Sequence, residues 1–324
     1  MKIFQSLGYT IAITLASLST VRADTPATTV YRGICDASAA VALDKDHFVV
    51  ADDELNILHI YKRGKPDSVA EKDMSAFLKV DPDEESDIEG AALIGKRIFW
   101  ISSHGTSKKG KVQDRRRRLF STDIVDGAVP ALRDAGAPYS KLVDDLSDKR
   151  FEKYNLAAAA KKPPKTEGAL NIEGLAATPA GELLIGFRNP LWESKALIVP
   201  LKNPDDVVMK GEKPNLGDFI EIKLDGRGVR SIERIGDSYL IVAGPIDGKG
   251  SSDLYRWSSD PLKDPEILKQ VKLTGLNPEA LFAIPGGDEV QILSDDGTVD
   301  AGGGKECKDV APASQSFRSV TVKP

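Results

Sequence analysis

Carboxylates recur at one position of a repeated pattern in this chain, and they are its clearest candidates for chemistry. Each copy of the pattern begins with three residues, mostly polar, that precede a run of small apolar residues. The third residue of the five copies is, in order, Ser38, Glu89, Glu173, Arg230 and Glu279. The first residue is, in order, Asp36, Asp87, Asn171, Gly228 and Asn277. Because residues two apart in an extended chain point to the same side, we expect both sets to line one shared site.

Three interpretations of this site stay open. Carboxylate and amide oxygens are the hard ligands that Ca²⁺ and Mg²⁺ prefer. The metal ligands would be the acidic members of the two sets, namely Asp36, Asp87, Glu89, Glu173 and Glu279. Arg230 adds a cation, which can pair with the glutamates or help to hold a polar ligand. The site is therefore a salt-bridged plug, a polar-ligand site or a Ca²⁺ or Mg²⁺ site.

A second set of polar residues follows the apolar strands of the repeats. Its members are Asp53, Ser103, Arg188, Gly244 and Asp295. His104 comes directly after Ser103, so His104, Asp53 and Asp295 are the candidates for acid–base catalysis. The chain contains neither a G-x-S-x-G elbow nor an H-E-x-x-H zinc motif. The sequence therefore assigns no catalytic residue, and the alternative for His104 is a turn residue that caps backbone groups.

A run of cations lies in the loop that joins two strands of the second repeat. It comprises Lys108, Lys109, Lys111, Arg115, Arg116, Arg117 and Arg118. Together with Arg188 these residues are candidates to bind a phosphate, sulfate or carboxylate, because guanidinium groups hold oxyanions through paired hydrogen bonds. A solvated basic loop is the alternative. The formal charge of the chain is -5, which argues against a nucleic-acid partner.

The elements that position these residues form a repeat of β-strands. In each copy a strongly apolar strand follows the polar start, and a second strand follows in most copies. Successive starts are about 50 residues apart, as in the blades of β-propellers. We therefore expect an all-β propeller with five blades. The longer interval between Asp87 and Asn171 predicts a helical insertion around residues 139–160, or alternatively a sixth blade.

The two ends of the chain predict how the ring closes. Strand-like segments begin at Thr28 and at Phe317, and pairing the first with the last blade would complete the circle. That pairing would also bring Cys35 toward Cys307. In an oxidising compartment these two cysteines would form a disulfide, with two unpaired thiols as the alternative.

Residues 1–23 have the pattern of a secretory signal peptide. Lys2 precedes an apolar stretch from Leu7 to Leu18, and the segment ends in Val-Arg-Ala at Ala23. We expect cleavage after Ala23, which would leave a single propeller domain over residues 24–324 in the periplasm or the medium. An N-terminal membrane anchor is the alternative. No later stretch has 18 consecutive apolar residues, so no further transmembrane segment is expected.

Several motifs occur in the same order as in a known bacterial family. They are FVVADDE from Phe48, DIEGAALIGKRIFWISSHG from Asp87, LNIEGLAATPAGELLIGFRNPL from Leu170 and SIERIGDSYLIVAGP from Ser231. From about Gly33 to Gly297 the chain resembles the domain-of-unknown-function family 3616. The resemblance implies a repeat β fold and brings no established activity. The short IEGLA motif is also similar to one in phytase-like and esterase-like extracytoplasmic propellers.

Three functional classes follow. The first is an exported propeller that binds an anionic small molecule or an envelope component at the channel mouth or the basic loop. The second is a phosphoesterase-type or lactonase-type hydrolase, in which Glu89, Glu173 and Glu279 hold a divalent ion that activates water. The third is a purely structural interaction module. We favour the first, because Arg230 and the lack of a complete catalytic constellation count against the second; whether the protein is an enzyme stays open.

Overall fold

Five four-stranded antiparallel sheets form the fold in the computed structural model, which describes residue 1 and residues 27–324. The strands are β1 (Thr28–Arg32), β2 (Ala37–Ala42), β3 (His47–Asp52), β4 (Ile57–Lys62), β5 (Ser68–Asp73), β6 (Ile88–Ile94), β7 (Arg97–Ser102), β8 (Leu119–Val125), β9 (Ala131–Tyr139), β10 (Asn171–Ala177), β11 (Leu183–Asn189), β12 (Ala196–Leu201), β13 (Ile220–Ile222), β14 (Gly228–Ile235), β15 (Ser238–Gly244), β16 (Asp253–Trp257), β17 (Glu266–Ile267), β18 (Pro278–Ala283), β19 (Val290–Ser294) and β20 (Ser316–Val322).

Each sheet is one blade of a propeller. Blades 1 to 4 are β2–β5, β6–β9, β10–β13 and β14–β17, each running from its innermost strand outward, and blade 5 is β18, β19, β20 and β1. The innermost strands contact one another in a closed circle, β2 to β6, β10, β14, β18 and back to β2. The protein is therefore an all-β propeller with five blades, as predicted, and the long interval of the sequence contains no sixth sheet.

The hydrophobic core lies between blades rather than within them. The strands are rich in Val, Ile, Leu and aromatic residues on both faces, and every residue of β3 is buried. Five apolar clusters result, each between two neighbouring blades. Trp100 anchors the cluster between blades 1 and 2, and Trp257 anchors the one between blades 3 and 4. A blade can thus bury its faces only against its neighbours, which is why the ring must close.

Short helices lie in the connections. They are α1 (Ser75–Leu78), α2 (Leu142–Leu146), α3 (Leu156–Ala159) and α4 (Pro204–Lys210), with 3₁₀ turns at Asp114–Arg116, Lys149–Tyr154, Cys307–Asp309 and Pro312–Ser314. The predicted insertion is helical, but Tyr139 belongs to β9, where it pairs with Leu119. Leu142 and Leu146 are fully buried in the cluster between blades 2 and 3, so the insertion covers that edge of the ring.

The ring closes through the N-terminal strand and a disulfide. β1 pairs with β20 from Thr28–Val320 to Arg32–Ser316. Cys35 and Cys307 are bonded, with their Cα atoms 6.0 Å apart. In the loop-closure model a bridge that spans almost the whole chain contributes about 4–5 kcal/mol to the free energy of unfolding. Both closing features confirm the prediction.

The structure tests the N-terminal predictions only in part. The predicted signal peptide covers residues 1–23, of which residues 2–23 lie outside the residues that the structure describes. Within residues 27–324, no helix is long and apolar enough to cross a membrane.

Candidate functional site

The five predicted site residues occupy one equivalent position, a bulge in the innermost strand of each blade. Pairing between the first two strands shifts register around Ser38, between Ala37 and Ala39. The same kind of shift surrounds Glu89, Glu173, Arg230 and Glu279. A bulge re-aims its side chain, and at the start of an innermost strand it directs that side chain to the mouth of the channel. Each of these five residues is at most 8% exposed.

Blades 3 to 5 contribute a buried network of ion pairs to the channel mouth. Arg188 Nη1 donates to Glu173 Oε1 at 2.6 Å, and Arg230 Nε lies 3.5 Å from Glu173 Oε2. Arg230 also contacts the carboxylate of Glu279, and its Nη1 donates to Asn277 Oδ1 at 2.6 Å. Glu173 and Glu279 therefore already have cationic partners, as in a salt-bridged plug.

Neighbouring polar groups complete this network. Asn171 Nδ2 donates to Glu173 Oε1 at 2.7 Å, and Ser38 Oγ donates to Glu279 Oε2 at 3.4 Å. Gly228 has no side chain, and a Cβ built there would lie 1.9 Å from the carbonyl oxygen of Arg188. Glycine at position 228 therefore leaves room for the backbone of Arg188, whose side chain reaches the mouth.

Blades 1 and 2 contribute carboxylates instead. Asp36 directly precedes β2, Asp52 and Asp53 lie at the end of β3, and Asp87 and Glu89 lie at the start of β6. We call these five residues the acidic cluster. Single oxygens of Asp36, Asp52 and Asp53 lie within 4.8 Å of one another, and so do those of Asp53, Asp87 and Glu89. Asp52 was not among the predicted site residues; the Asp52-Asp53 pair at the end of the apolar strand is the signal that could have identified it.

Burial raises the pKa of the aspartates at this mouth. The pKa of Asp36 is raised to about 8, first by burial and then by the negative charges of Asp295 and Asp52. Burial also raises the pKa of Asp52 to about 7. The pKa of Asp87 is raised to about 6 by burial, against the opposing effect of a hydrogen bond from Ser103 Oγ. Desolvation disfavours the charged form of a carboxyl, so Asp36 and Asp52 hold protons near neutral pH.

Neither Glu89 nor Asp53 forms an ion pair with a residue that the structure describes, and the charges of Arg188 and Arg230 only partly oppose the effect of burial on the pKa of Glu89. The residue Glu89 is 8% exposed. Its carboxylate makes no hydrogen bond or ion pair with any residue that the structure describes. Asp53 Oδ1 is buried without a hydrogen-bond partner. The pKa of both groups is raised well above its usual range, first by burial and then by neighbouring carboxylates. Buried polar groups are normally satisfied, so this corner of the mouth is short of a cation.

Asp295, a predicted catalytic candidate, lies beside the cluster. Its Oδ2 accepts from Asn277 Nδ2 at 3.0 Å, and its Oδ1 accepts from the backbone N–H of Gly297 at 2.9 Å. These bonds tie Asp295 to the ion-pair network, and the remaining negative charge acts on Asp36. Asp295 therefore joins the two halves of the mouth.

Two of the four arginines of the basic run form ion pairs. Arg116 contacts Glu85, and its Nη1 lies 3.2 Å from Asp87 Oδ2. Arg115 Nη1 lies 3.4 Å from Glu84 Oε1. Arg117 and Arg118 form no ion pair with a described residue, and neither do the lysines of the run. Within the described residues, Arg188 and these arginines share no ion-pair partner, and their joint binding of an anion stays a prediction.

The lysines of the run belong to a larger cationic rim. The loop that carries them packs on the segment before β10, where Thr106 Oγ1 donates to the carbonyl oxygen of Lys162 at 2.7 Å. Lys165 lies beside Arg188 at the mouth, since both approach the Cβ position of Gly248. We call the six lysines of this surface the lysine rim: Lys108, Lys109, Lys111, Lys161, Lys162 and Lys165. None of the six forms an ion pair within the described part of the chain.

His104 has the surroundings of a turn residue. It is fully buried with a φ of 56°, and its Nδ1 lies 2.8 Å from the carbonyl oxygen of Ser102. Burial lowers the pKa of His104 to about 4, helped by the nearby charges of Arg117 and Arg118. Its charged neighbours are thus cations rather than the acidic cluster, and the imidazole is neutral at physiological pH.

Comparison with known proteins gives one family and a set of distant folds. A family model described as "Protein of unknown function (DUF3616)" matches residues 36–122 and 133–291. A glutaminyl cyclase from Myxococcus xanthus is 13% identical, with 82% of this chain and 88% of the cyclase covered and a TM-score of 0.45. A PQQ-bound aldose sugar dehydrogenase from Streptomyces coelicolor is 13% identical, with 92% and 100% covered and a TM-score of 0.46. No curated protein matches. Likenesses this distant say nothing about the activity of this chain.

Proposed function

The chain belongs to the DUF3616 family of unknown function, and from the geometry of its channel mouth we propose that it binds a divalent cation, Ca²⁺ or Mg²⁺, and through it an anionic small molecule. Asp53, Asp87 and Glu89 would hold the cation. The ligand would occupy the mouth between this cation and the lysine rim.

The observation that carries the proposal is the unpartnered carboxylate of Glu89. It lies, nine-tenths buried, within 4.8 Å of oxygens from Asp53 and Asp87. Taking a carboxylate out of water without a partner costs several kcal/mol. Arg116 is the only described cation that forms an ion pair with this group, through Asp87, while Arg188 and Arg230 act on Glu89 without pairing with it. A dication would supply the missing charge, and carboxylate oxygens are the ligands that Ca²⁺ and Mg²⁺ prefer.

The ion-pair network explains why the cation would bind on one side of the mouth. Glu173 and Glu279 are predicted metal ligands, but their oxygens contact Arg188 and Arg230. Because those arginines pair directly with Glu173 and Glu279 and reach Glu89 without pairing with it, they would repel a dication most strongly beside Glu173 and Glu279. Asp36 remains available as a further ligand, because it shares a second group of close oxygens with Asp53.

The lysine rim supports the proposal that the ligand is anionic. A cation held by three carboxylates keeps coordination positions for water or a ligand oxygen. The six lysines carry positive charge that no carboxylate of the described chain pairs with, and such a surface raises the local concentration of anions. An anion at the mouth would thus be attracted by the rim and coordinated by the cation, with a strong dependence on salt.

The place of action forms part of the proposal. The Cys35–Cys307 disulfide supports an extracytoplasmic protein, because disulfides persist in oxidising compartments. The predicted signal peptide supports the same location.

Calorimetric titration of Ca²⁺ and of Mg²⁺ into the EDTA-treated full chain tests the cation site. We expect one ion to bind, and Glu89→Gln, which keeps the shape but removes the charge, to weaken binding at least about ten-fold. Glu266→Gln is the matched control, since Glu266 is exposed on β17 at the outer edge of blade 4. If neither ion binds the parent protein, the proposal is wrong.

The anionic ligand is tested with glycerol 3-phosphate as the probe. We expect it to bind the cation-loaded protein more tightly than the EDTA-treated protein. Replacing Lys108, Lys109 and Lys111 together by Gln should weaken that binding and reduce its salt dependence, while the affinity for the cation stays unchanged. Equal binding with and without the cation would contradict this part of the proposal.

A metal-dependent hydrolase is the second candidate function. Asp52, with its pKa raised to about 7 by burial, lies within 4.8 Å of Asp53. A carboxylate with a pKa near neutrality is suited to act as a general base toward water on a neighbouring cation. Turnover of p-nitrophenyl phosphate by the cation-loaded protein, lost in Asp52→Asn, would favour this candidate; no turnover would leave the binding function alone.

A further inference from the structure

A cleft of about 460 Å³ lies at the outer edge of blade 2, away from the channel mouth. One wall is α1 with the residue that follows it, and the other is the end of β9. Arg118, directly before β8, also lines it. Its volume is within the range of small-molecule sites, which is roughly 300–1,000 Å³.

A bulge in β9 creates this cleft. Leu119 pairs with Tyr139 and Ser121 pairs with Ala135, so residues 136–138 lie opposite the single residue Phe120 and the outer strand has two extra residues. Gly136 has a φ of 65° and packs against the backbone of α4, since a Cβ there would lie 2.1 Å from the carbonyl oxygen of Val208. Only glycine fits this position, and the bulge is therefore fixed by packing. The cleft is a built feature of the blade rather than a gap between loops.

The cleft contains positive charge without a carboxylate. Arg118 Nε donates to the carbonyl oxygen of Leu78 at 3.2 Å, and its Nη1 donates to the carbonyl oxygen of Arg117 at 2.9 Å. Its Nη2 makes no hydrogen bond to the described chain, and the guanidinium forms no ion pair there. Lys79 also lines the cleft and forms no ion pair with a described residue, and no acidic residue is among the lining. Arg118 Nη1 also donates to the carbonyl oxygen of Asp114 at 2.5 Å. These backbone contacts hold the guanidinium in place; the charge of Asp114 acts on it, but no carboxylate of the described chain pairs with it.

The rest of the lining is apolar. Phe77, Ala137 and Pro138 contribute to the walls. The ring of Phe77 packs edge-on against Phe120, with the ring centroids 6.3 Å apart, so it is held by the core of blade 2. An apolar recess with one fixed cation is selective for a ligand that has an anionic head and an apolar body.

We propose that this cleft binds a small organic carboxylate with an apolar body. The carboxylate pairs with Arg118, and the apolar part lies against Phe77 and Pro138. The site is separate from the channel mouth and uses none of its residues, so it stands whether or not the mouth binds a cation. It also gives a role to Arg118, which is free of carboxylate partners although it belongs to the basic run.

Three probes of the full chain test the ligand class by calorimetry or by NMR shift changes. Phenylacetate has both the head and the body, phenylacetamide keeps the shape without the charge, and acetate keeps the charge without the body. We expect phenylacetate to have a higher affinity than acetate and phenylacetamide. Its affinity should exceed that of phenylacetamide at least about ten-fold, because the amide cannot form an ion pair with arginine. Equal binding of the acid and the amide, or no binding of phenylacetate at millimolar concentration, would overturn the proposal.

Two variants locate the binding. Arg118→Gln should abolish the preference for phenylacetate over phenylacetamide, and Ala137→Trp, which fills the cleft, should abolish binding of both. Arg133→Gln is the matched control, because Arg133 is an exposed arginine of the same blade, paired with Asp123. Thermal unfolding shows which variants are folded. Phenylacetate binding that survives in folded Ala137→Trp would place the site elsewhere and refute the assignment.

Discussion

Arg230, on the innermost strand of blade 4, contacts the carboxylate of Glu279 on the innermost strand of blade 5. Both residues are at most 6% exposed. The pair crosses from one blade to the next at the channel mouth, and Arg230 reaches back toward Glu173 of blade 3 as well. One guanidinium therefore connects three of the five blades at the point where they meet.

Removing this arginine should destabilise the protein strongly. Arg230→Met keeps an unbranched side chain but leaves the Glu279 carboxylate buried without its cation, and breaking a buried pair from one side costs about 3–5 kcal/mol. Urea unfolding measures the change in the free energy of unfolding. Arg227→Met is the control, since Arg227 pairs with Asp253 in a more exposed position, and we expect it to cost about 1 kcal/mol or less. A cost for Arg230→Met as small as for the control would show that the mouth is hydrated rather than sealed.

The acidic cluster predicts how stability depends on pH. The folded pKa values of Asp36 and Asp52 are raised from 3.8 to about 8 and about 7. The favourable contribution of these protonated groups is complete below the unfolded pKa and is lost as the pH rises through the folded values. The EDTA-treated protein should therefore lose stability between about pH 4 and pH 8, as measured by urea unfolding across that range.

A bound cation should reverse this trend. Ca²⁺ or Mg²⁺ binds the deprotonated carboxylates, so its affinity should rise with pH over the same interval, and binding should release protons. Calorimetry in two buffers of different ionisation enthalpy measures that release. Asp36→Asn combined with Asp52→Asn should flatten the pH dependence of the metal-free protein. An unchanged slope in this double variant would assign the titration to other groups.

The blades, the equivalent positions and the closure of the ring could be predicted from the sequence because each has a local or periodic signature. A bulge places the third residue of every repeat at the mouth, and the repeat itself carries the bulge; Glu89 and Glu173 are therefore found by alignment alone. Strand-like segments at Thr28 and Phe317 predict that the two ends of the chain pair. These features depend on patterns that a single blade contains.

Partners of the charged residues could not be predicted, because they depend on contacts between segments far apart in the sequence. Arg116 binds Glu85 and Asp87, which precede β6, so the basic run is partly neutralised by a segment about 30 residues away. Asp52 was missed because it is the last residue of an apolar strand and looked like part of it. The predicted insertion began at Tyr139, which lies at helical spacing from Leu142 and Leu146, but pairing with Leu119 in β9 overrode that preference.

Two glycines of blade 3 make a tightly packed interface with blade 4. Gly174 and Gly186 pair across β10 and β11, and a Cβ on either would lie 2.6 or 2.7 Å from Val229 Cγ1. Gly186→Ala should therefore cost about 1–3 kcal/mol through overpacking. Gly287→Ala is the control, because a Cβ there meets nothing closer than 3.9 Å. Urea unfolding of Gly186→Ala with and without Val229→Ala measures the clash: the second change should rescue part of the loss, and a purely additive result would contradict the packing explanation.

The disulfide should affect the mouth as well as the stability of the ring. Cys35 directly precedes Asp36, and its carbonyl oxygen accepts from the backbone N–H of Asp296 at 2.9 Å, so the bridge fixes the segment that carries one cluster carboxylate. Cys35→Ser with Cys307→Ser should lower the free energy of unfolding by about 2–5 kcal/mol. Under conditions where this variant is still folded, it should weaken cation binding less than Glu89→Gln does, because Asp36 belongs to the neighbouring group of oxygens and not to the group with Glu89. Equal weakening by both changes would mean that Asp36 is itself a principal ligand.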